Sequence, residues 1–186
     1  PGDAFIAWPG AATDGRAYVA TAFSQGATAC LVEAQDCEPW QAEWRQFAQA
    51  STAQLATYTG LKADTGWIAD AYYEQPSQSL KVLAVTGTNG KTSCTQWLGQ
   101  ALSRGGMPTT VIGTLGTGLF SNGKCNSFDV TGYTTPDPVQ LQRSLAEQKQ
   151  QGAQALAIEA SSIGLDQGRM NGMHVDVAVL TNFTRD

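Results

Sequence analysis

One segment near the middle of this 186-residue sequence constrains the fold more than any other. Residues 81–85, KVLAV, form a short apolar run. The next residues, TGTNGKT, lead into a helical pattern that begins at Lys91 and ends at the glycine pair 105–106. A continuous apolar run is typical of a strand buried on both faces of a parallel sheet. The segment therefore predicts a strand, a glycine turn and a helix in direct succession.

The rest of the sequence repeats this alternation of apolar runs and helical patterns. Strands are predicted over 4–8, 27–33, 81–85, 109–113, 155–161 and 175–183, and a polar, glycine-rich hairpin over 116–126. The helical patterns place these residues on apolar faces: Tyr18, Val19, Ala22 and Phe23; Trp40, Trp44, Phe47 and Ala48; Leu61, Ile68, Ala71 and Tyr72; Cys94, Trp97, Leu98, Ala101 and Leu102; Val139, Leu141 and Leu145. This alternation predicts an α/β fold with parallel sheets wrapped by helices, in which ligands bind at the carboxyl ends of the strands.

The segment over residues 74–79, EQPSQS, is polar and contains a proline, which is typical of a linker. We therefore expect two domains, a small α/β domain over 1–78 and a second domain over 79–186.

Composition excludes several classes of protein. Charged residues make up only 15% of the chain and the net charge is -5, so we expect no broad basic surface for nucleic acid. The four cysteines form no C-x-x-C pair and there is one histidine, so neither a zinc site nor a disulfide framework is predicted. The sequence shows neither a signal peptide nor an apolar run long enough to span a bilayer. We expect a cytoplasmic protein without membrane insertion.

The glycine turn over residues 87–90 has the chemistry of a phosphate-binding loop. Free backbone N–H groups at a helix start favour a polyanion, and glycines let the backbone approach its oxygen atoms. Lys91 would neutralise the terminal phosphates of a nucleoside triphosphate, and the Thr92 hydroxyl would face a magnesium ion. Val85 occupies the place of the first glycine of the general P-loop pattern, so the loop is a shorter variant. The alternative is a plain strand-to-helix turn, with a lysine at the unfavourable end of the helix dipole.

Four segments together resemble the Mur ligase family, and its MurE branch in particular. They are PGDAFIAWPGAATDGRAYVATAFSQGATACLVE, VTGTNGKTS, YTTPDPVQLQ, and AIEASSIGLDQGR with VLTNFTRD. The resemblance implies a uridine-binding first domain followed by an ATP-binding domain. It also implies a monomeric enzyme that uses ATP and Mg²⁺ to join meso-diaminopimelate or L-lysine to UDP-N-acetylmuramoyl-L-alanyl-D-glutamate in peptidoglycan biosynthesis.

The resemblance also assigns roles to individual residues. The triphosphate would be held by Gly87, Thr88, Asn89, Gly90, Lys91, Thr92 and Ser93. Lys91 and Glu159 would be catalytic, and Thr92 and Glu159 would hold the magnesium ion. The substrate contacts would be Ala11, Ala12, Thr13, Thr134, Thr135, Ser161, Gln167 and Arg169.

Each of these assignments has a plainer alternative. Glu159 could be a strand-end glutamate in water, one of the two threonines could cap a helix, and Arg169 could be a solvated surface arginine. Ile163 stands where many members of the MurE branch have histidine, which removes a polar group from the expected substrate pocket.

Other functions also remain open. The chain is expected to be a fragment without the amino-acid-binding domain, and inactive in ligation by itself. Within the family, MurF and folylpolyglutamate synthase are the alternatives. Outside it, Asp129–Gly132 fits the D-x-x-G pattern of a GTPase switch, although the chain has no N-K-x-D motif. A binding module without catalysis is a further possibility.

Overall fold

The computed structural model describes residues 2–10, 13–50, 54–130 and 132–184, without the side chains of 48–50. Its contacts divide the chain into two compact units, Pro1–Asp64 and Thr65–Asp186. The division falls inside a helix and not at the polar segment 74–79. The assignment of domains to 1–78 and 79–186 therefore stays a prediction.

The first unit is built on a parallel sheet of three strands in the order β1-β2-β3. The strands are β1 (Ala4–Ala7), β2 (Ala29–Glu33) and β3 (Gln54–Tyr58), and the helices are α1 (Val19–Ser24), α2 (Glu38–Ala50) and the start of α3 (Leu61–Tyr72). A 3-10 turn over Gly15–Tyr18 precedes α1. The predicted strand, helix, strand unit is confirmed. β3 was not predicted, because its mostly exposed residues lack an apolar pattern.

Aromatic and small apolar side chains form the core of this unit. Trp44 is buried against β1 and β2, with Trp40 and Phe23 packed beside it, as the helical spacing predicted. In α3 the predicted face is partly wrong, since Leu61 is buried but Ala71 is exposed and Tyr72 is 65% exposed. The buried positions of that helix are Leu61, Thr65, Gly66, Ala69 and Asp70.

Arg16 ties two loops of the first unit together. Its side chain is only 5% exposed, and its Nη2 lies 2.7 Å from Asp14 Oδ2. Nη1 of the same guanidinium donates to the backbone carbonyl of Gln35 at 2.5 Å. The hydrogen bonds from Arg16 hold the pKa of Asp14 below its usual value. This partly buried ion pair was not predicted from the sequence.

The second unit is a six-stranded mixed sheet in the order β7-β6-β5-β8-β4-β9. Its strands are β4 (Lys81–Thr86), β5 (Thr109–Gly113), β6 (Gly116–Ser121), β7 (Lys124–Cys125), β8 (Ala155–Glu159) and β9 (Val177–Leu180). Its helices are α4 (Lys91–Arg104), α5 (Pro138–Gln150) and α6 (Ser162–Asp166), with a 3-10 turn over Pro76–Ser79. Strands β5, β8, β4 and β9 are parallel, and the predicted hairpin adds two antiparallel strands. The predicted α/β fold is confirmed.

Two apolar clusters fill this unit. In the larger one, Leu141 and Leu145 of α5 pack with side chains from β4, β5 and β8. In the smaller one, Leu98 of α4 packs against Val111 and Phe120. Strand β9 was expected to be buried on both faces. Among the described strands it pairs with β4 alone, at the edge of the sheet, and its residues Val177 and Leu180 are 44% and 65% exposed.

Helix α4 has small residues at its fully buried positions, and of its predicted apolar face Leu98 packs on the core. Its buried positions are Thr95, Gly99 and Ser103, whereas Trp97 is 67% exposed. A Cβ on Gly99 would lie 2.5 Å from Val111 Cγ2 and 3.0 Å from the Phe120 ring. The helix therefore lies so close to the sheet at position 99 that glycine fits there without displacing its neighbours.

The remaining expectations concern cysteines and membranes. All four cysteines are free, with Cys30 and Cys37 buried and the other two partly buried. None of the described helices is both long enough and apolar enough to cross a bilayer.

Glu33 joins the end of β2 to the start of α3. Its carboxylate accepts hydrogen bonds from the backbone amides of Gln35, Gly60 and Leu61 at 3.2, 3.2 and 2.8 Å. Burial on its own raises the pKa of Glu33, but these amide hydrogen bonds outweigh burial and the pKa is lowered. The ionised carboxylate therefore stabilises the first unit.

We expect Gly99→Ala to destabilise the second unit. Alanine favours a helix over glycine by up to about 1 kcal/mol, but overpacking a stiff, buried valine costs about 1–3 kcal/mol. Urea unfolding measures the difference. Ala101→Gly, at an exposed position of the same helix, is the control. It should lower the unfolding free energy only by the difference in helix propensity between alanine and glycine. Greater stability of Gly99→Ala than of the unmodified chain would contradict the close packing.

Glu33→Gln should destabilise the first unit by about 1–3 kcal/mol at pH 7, because buried amides lose a charged acceptor. Because the pKa of Glu33 is lower in the folded state than its ordinary value of 4.5, the ionised carboxylate contributes stability at pH values above 4.5. That stability is lost as the pH falls through the folded-state pKa. The stability difference between the variant and the unmodified chain should therefore shrink in acid. Unfolding curves at several pH values test this, with exposed Glu38→Gln as the control. A difference independent of pH would refute the role of the charge.

Candidate functional site

The glycine turn lies at the carboxyl end of β4, as predicted. Strand β4 ends at Thr86 and α4 begins at Lys91. Between them, Gly87 and Gly90 have positive φ angles of 131° and 87°. The Gly90 carbonyl accepts the Cys94 amide at 2.9 Å, which closes the first helical turn. The amides at the start of a helix have no intrahelical acceptor. Within the described residues, the amides of Gly90–Ser93 have no acceptor and are available to an anion.

The Lys91 side chain folds back over this loop. Its Nζ donates to the carbonyl oxygens of Gly87 at 2.7 Å and Thr88 at 3.1 Å. These carbonyls compensate the lysine charge at the positive end of the helix dipole. The loop therefore holds a cation beside free amides, an arrangement suited to a polyanion.

Two amides of the loop are engaged by the segment after β9. Thr88 N donates to the Asn182 carbonyl and Asn89 N donates to Asn182 Oδ1, both at 3.1 Å. The sequence prediction gave these two residues to the triphosphate along with the rest of 87–93. In this conformation the Thr88 and Asn89 amides are occupied, whereas the amides of Gly90–Ser93 remain as donors for it.

Glu159 ends β8 beside the loop strand. Its register partner on β4 is Val85, and its side chain is 1% exposed. Oε1 accepts the amide of Thr114 at 3.0 Å, and Oε2 accepts the hydroxyl of Thr114 at 3.2 Å. The alternative of a strand-end glutamate in water is therefore wrong. A side chain at Gly113 would overlap Glu159 Oε1, so only glycine leaves room for the carboxylate.

The residues at this edge fit a magnesium ion that a nucleotide also holds. A carboxylate has about four lone-pair sites, and Glu159 uses two of its sites on Thr114. Among the described residues, no group of three or more His, Cys, Asp or Glu side chains could form a metal site made of protein ligands alone. Mg²⁺ commonly binds through one or two protein oxygens together with phosphate oxygens and water. Glu159 and the Thr92 hydroxyl match that donor set.

Of the two predicted threonines, Thr135 contacts Glu159 and Thr134 contacts Thr114. Thr135 is fully buried, and its hydroxyl donates to the Glu159 carbonyl at 2.8 Å. The Thr134 hydroxyl lies 3.2 Å from that of Thr114. The alternative of a helix cap is wrong, because Asp137 caps α5 by accepting the amides two and three residues ahead of it.

Ser161, Gln167 and Arg169 join the same group. The Ser161 hydroxyl lies 3.0 Å from that of Thr135 and accepts the Gly164 amide, which caps α6. Arg169 Nη1 donates to the Thr135 carbonyl and Nη2 donates to Gln167 Oε1, each at 2.7 Å. The guanidinium also lies 5.5 Å from the centre of the Tyr133 ring. Arg169 is therefore not a solvated surface arginine, and the predicted residues of this region form one connected network.

The remaining predicted contacts lie in the first unit. Thr13 is exposed at a turn in which its carbonyl accepts the amide of Gly10 at 2.9 Å. Ala11 and Ala12 lie outside the described residues. Their assignment as substrate contacts stays a prediction.

Sequence reasoning missed three residues of this edge, namely Thr114, Thr181 and Asn182. Thr114 directly follows the predicted strand 109–113, and Thr181 and Asn182 lie near the end of the predicted strand 175–183. In the structure these residues follow the carboxyl ends of β5 and β9. The rule that ligands bind at carboxyl ends of parallel strands could have identified them.

The D-x-x-G pattern lies elsewhere in the sheet. Asp129 pairs with Thr117 of β6 through two backbone hydrogen bonds of 3.0 and 2.8 Å. Two strands, β5 and β8, separate β6 from β4, and Thr131 lies outside the described residues. The position of Asp129 therefore gives no support to a GTPase switch next to the loop.

Comparison with known proteins adds independent information. Residues 85–186 match the model of the Mur ligase middle domain. The chain is 60% identical over 185 residues to the UDP-N-acetylmuramoyl-L-alanyl-D-glutamate--2,6-diaminopimelate ligase of Janthinobacterium sp. (strain Marseille), covering all of this chain and 35% of the relative. It is 50% identical to the protein of the same name from Acidovorax sp. (strain JS42), covering all of this chain and 36% of that relative. The chain thus spans about a third of the length of these relatives.

Solved structures agree with the sequence comparisons. A structure of UDP-N-acetylmuramoyl-L-alanyl-D-glutamate--2,6-diaminopimelate ligase is 30% identical, with a TM-score of 0.74 over 98% of this chain and 34% of that one. MurF from Acinetobacter baumannii is 22% identical, with a TM-score of 0.51 over 86% of this chain and 27% of that one, and shares the fold. Because the match to the middle-domain model covers more than half of this chain's residues, the chain belongs to the Mur ligase family.

Proposed function

We propose that this chain is part of an ATP-dependent ligase of the MurE type, which adds 2,6-diaminopimelate to UDP-N-acetylmuramoyl-L-alanyl-D-glutamate in peptidoglycan biosynthesis. The names of its relatives support diaminopimelate over lysine. We infer a monomeric, cytoplasmic enzyme that uses ATP and Mg²⁺.

One observation carries the proposal. The buried carboxylate of Glu159 lies beside the strand that leads into the Lys91 loop. The same residue is connected through Thr135 to Ser161 and Arg169. A triphosphate at the loop and an acidic substrate at the threonines and the arginine would therefore meet at one edge of the sheet.

The reaction that fits this edge has two steps. A substrate carboxylate oxygen attacks the γ-phosphorus of ATP, the bond to the β-phosphate oxygen breaks, and ADP leaves as an acyl phosphate forms. The amine of diaminopimelate then attacks the acyl carbon, inorganic phosphate leaves, and the nitrogen loses a proton as the amide forms. The first step brings two anions together and the second releases phosphate as an anion, so cationic and N–H groups supply most of the catalysis.

The residues of this chain divide that work. The amides of Gly90–Ser93 would orient the phosphates, and Lys91 would exchange its loop carbonyls for phosphate oxygens as charge develops. Arg169 already has two carbonyl-type acceptors and is oriented for a substrate anion. Magnesium held by Glu159 and Thr92 would neutralise phosphate charge when bound.

We expect Lys91→Met to lower kcat/KM for ATP about a hundredfold or more, since a cation at the transferring phosphate is removed. The assay is release of ADP that depends on UDP-N-acetylmuramoyl-L-alanyl-D-glutamate and diaminopimelate, in the full-length gene product. Lys149→Met, at an exposed position of α5, is the matched control and should keep its activity. Ligation that survives Lys91→Met, or that prefers GTP to ATP, would overturn the proposal.

Glu159→Gln should raise the Mg²⁺ concentration needed for half-maximal ligation about tenfold or more, because a neutral amide is a poorer ligand for a hard cation. Gly113→Ala should act in the same direction, since its methyl group would displace the carboxylate. Exposed Glu147→Gln serves as the control. An unchanged Mg²⁺ requirement in both site variants would remove Glu159 from the metal site.

A further inference from the structure

The segment Thr181–Thr184 lies against the phosphate loop and is referred to here as the loop brace. The brace donates these hydrogen bonds to Thr86–Asn89: Thr181 N to Thr86 O (3.0 Å), Thr181 Oγ1 to Thr86 O (3.2 Å), Thr181 Oγ1 to Asn89 O (2.6 Å), Asn182 Nδ2 to Asn89 O (3.0 Å) and Thr184 N to Thr88 Oγ1 (3.1 Å). It accepts these from the loop: Asn89 N to Asn182 Oδ1 (3.1 Å), Thr88 N to Asn182 O (3.1 Å) and Thr88 Oγ1 to Thr184 O (3.0 Å). Glu159 and the substrate network take no part in these bonds.

Asn182 makes the most specific of these contacts. Its side-chain amide accepts from Asn89 N and donates to Asn89 O, so it pairs with both polar groups of one backbone residue. A primary amide both donates and accepts, whereas a carboxylate only accepts and a methyl group does neither. The side chain thus fixes the orientation of the loop residue just before Gly90.

Gly87 provides an independent sign of the same fit. A Cβ at this position would overlap Thr181 Oγ1 and would lie 2.8 Å from the Asn182 carbonyl oxygen. The loop and the brace can therefore approach this closely only with glycine at position 87.

The brace determines which loop groups face a ligand. The Thr86 and Asn89 carbonyls, whose oxygens would repel a phosphate, point to the brace. The amides of Gly90–Ser93 stay free at the start of α4, as described above. A loop held in this way has less conformational entropy to lose when it binds an anion.

We propose that Asn182 and Thr181 are positioning residues for ATP, which hold the phosphate loop in its binding conformation without touching the nucleotide. This inference rests on the proposed function, because it assumes that the loop binds a triphosphate. It assigns to the residues after β9 a role in nucleotide affinity that is separate from binding of the muramoyl substrate.

The test uses the full-length gene product and steady-state kinetics with varied ATP. Asn182→Ala and Thr181→Val should raise KM for ATP about tenfold or more, with a much smaller change in KM for the UDP-linked substrate. Thr181→Ser keeps the hydroxyl and should restore the unmodified value. Asn126→Ala changes an exposed asparagine of the hairpin and is the control for asparagine loss.

Hydrogen exchange of the loop gives a readout that needs no nucleotide. The Thr88 and Asn89 amides should exchange faster in Asn182→Ala than in the unmodified protein, while peptides from α5 should not change. An unchanged KM for ATP in both Asn182→Ala and Thr181→Val would overturn the positioning role of the brace and leave the ligase assignment intact. Equal loss of affinity for both substrates would also overturn it, as a general loss of structure. Failure of the unmodified protein to use ATP at all would overturn both proposals.

Discussion

A carboxylate with almost no exposure to water organises the carboxyl edge of the second sheet. Glu159 is stable there because Thr114 supplies two hydrogen bonds and because Gly113 leaves space for it. Its own backbone carbonyl accepts the hydroxyl of Thr135, which leads on to Ser161 and Arg169. The phosphate loop follows the neighbouring strand. Glu159 thus lies between the strand that leads into the loop and the network of Thr135, Ser161 and Arg169.

The loop itself depends on close backbone approach on both sides. Helix α4 lies on the sheet through Gly99, and the loop lies on the segment after β9 through Gly87. Both contacts leave the first turn of α4 fixed, with its amides free. A rigid element that carries unpaired N–H groups binds an anion with little reorganisation, which is the property a phosphoryl-transfer site needs.

Much of this could be predicted from the sequence. Apolar runs and glycine turns predicted the four parallel strands and the turn that leads from β4 into α4, because a strand buried in a parallel sheet has a distinct pattern. The resemblance to the Mur ligases identified residues as distant in sequence as Thr135 and Arg169, which the structure brings into one hydrogen-bonded network.

Other features could not be predicted, for physical reasons. The packed face of α4 is made of Thr95, Gly99 and Ser103, whose small size matters only once Phe120 of a distant hairpin is in place. β3 pairs in the sheet through backbone hydrogen bonds, which leave no apolar pattern in its sequence. The pairing of Asn182 with Asn89 joins two loops, and no periodicity records such a contact.

The central claim is that the start of α4 binds a triphosphate beside Glu159. A crystal structure with Mg²⁺ and a non-hydrolysable ATP analogue tests it most directly. The γ-phosphate should lie on the amides of Gly90–Ser93, with Lys91 turned from its loop carbonyls onto a phosphate oxygen and Mg²⁺ within reach of Glu159. A nucleotide bound elsewhere, or a loop in which Lys91 stays on the Gly87 and Thr88 carbonyls with the analogue bound, would contradict it.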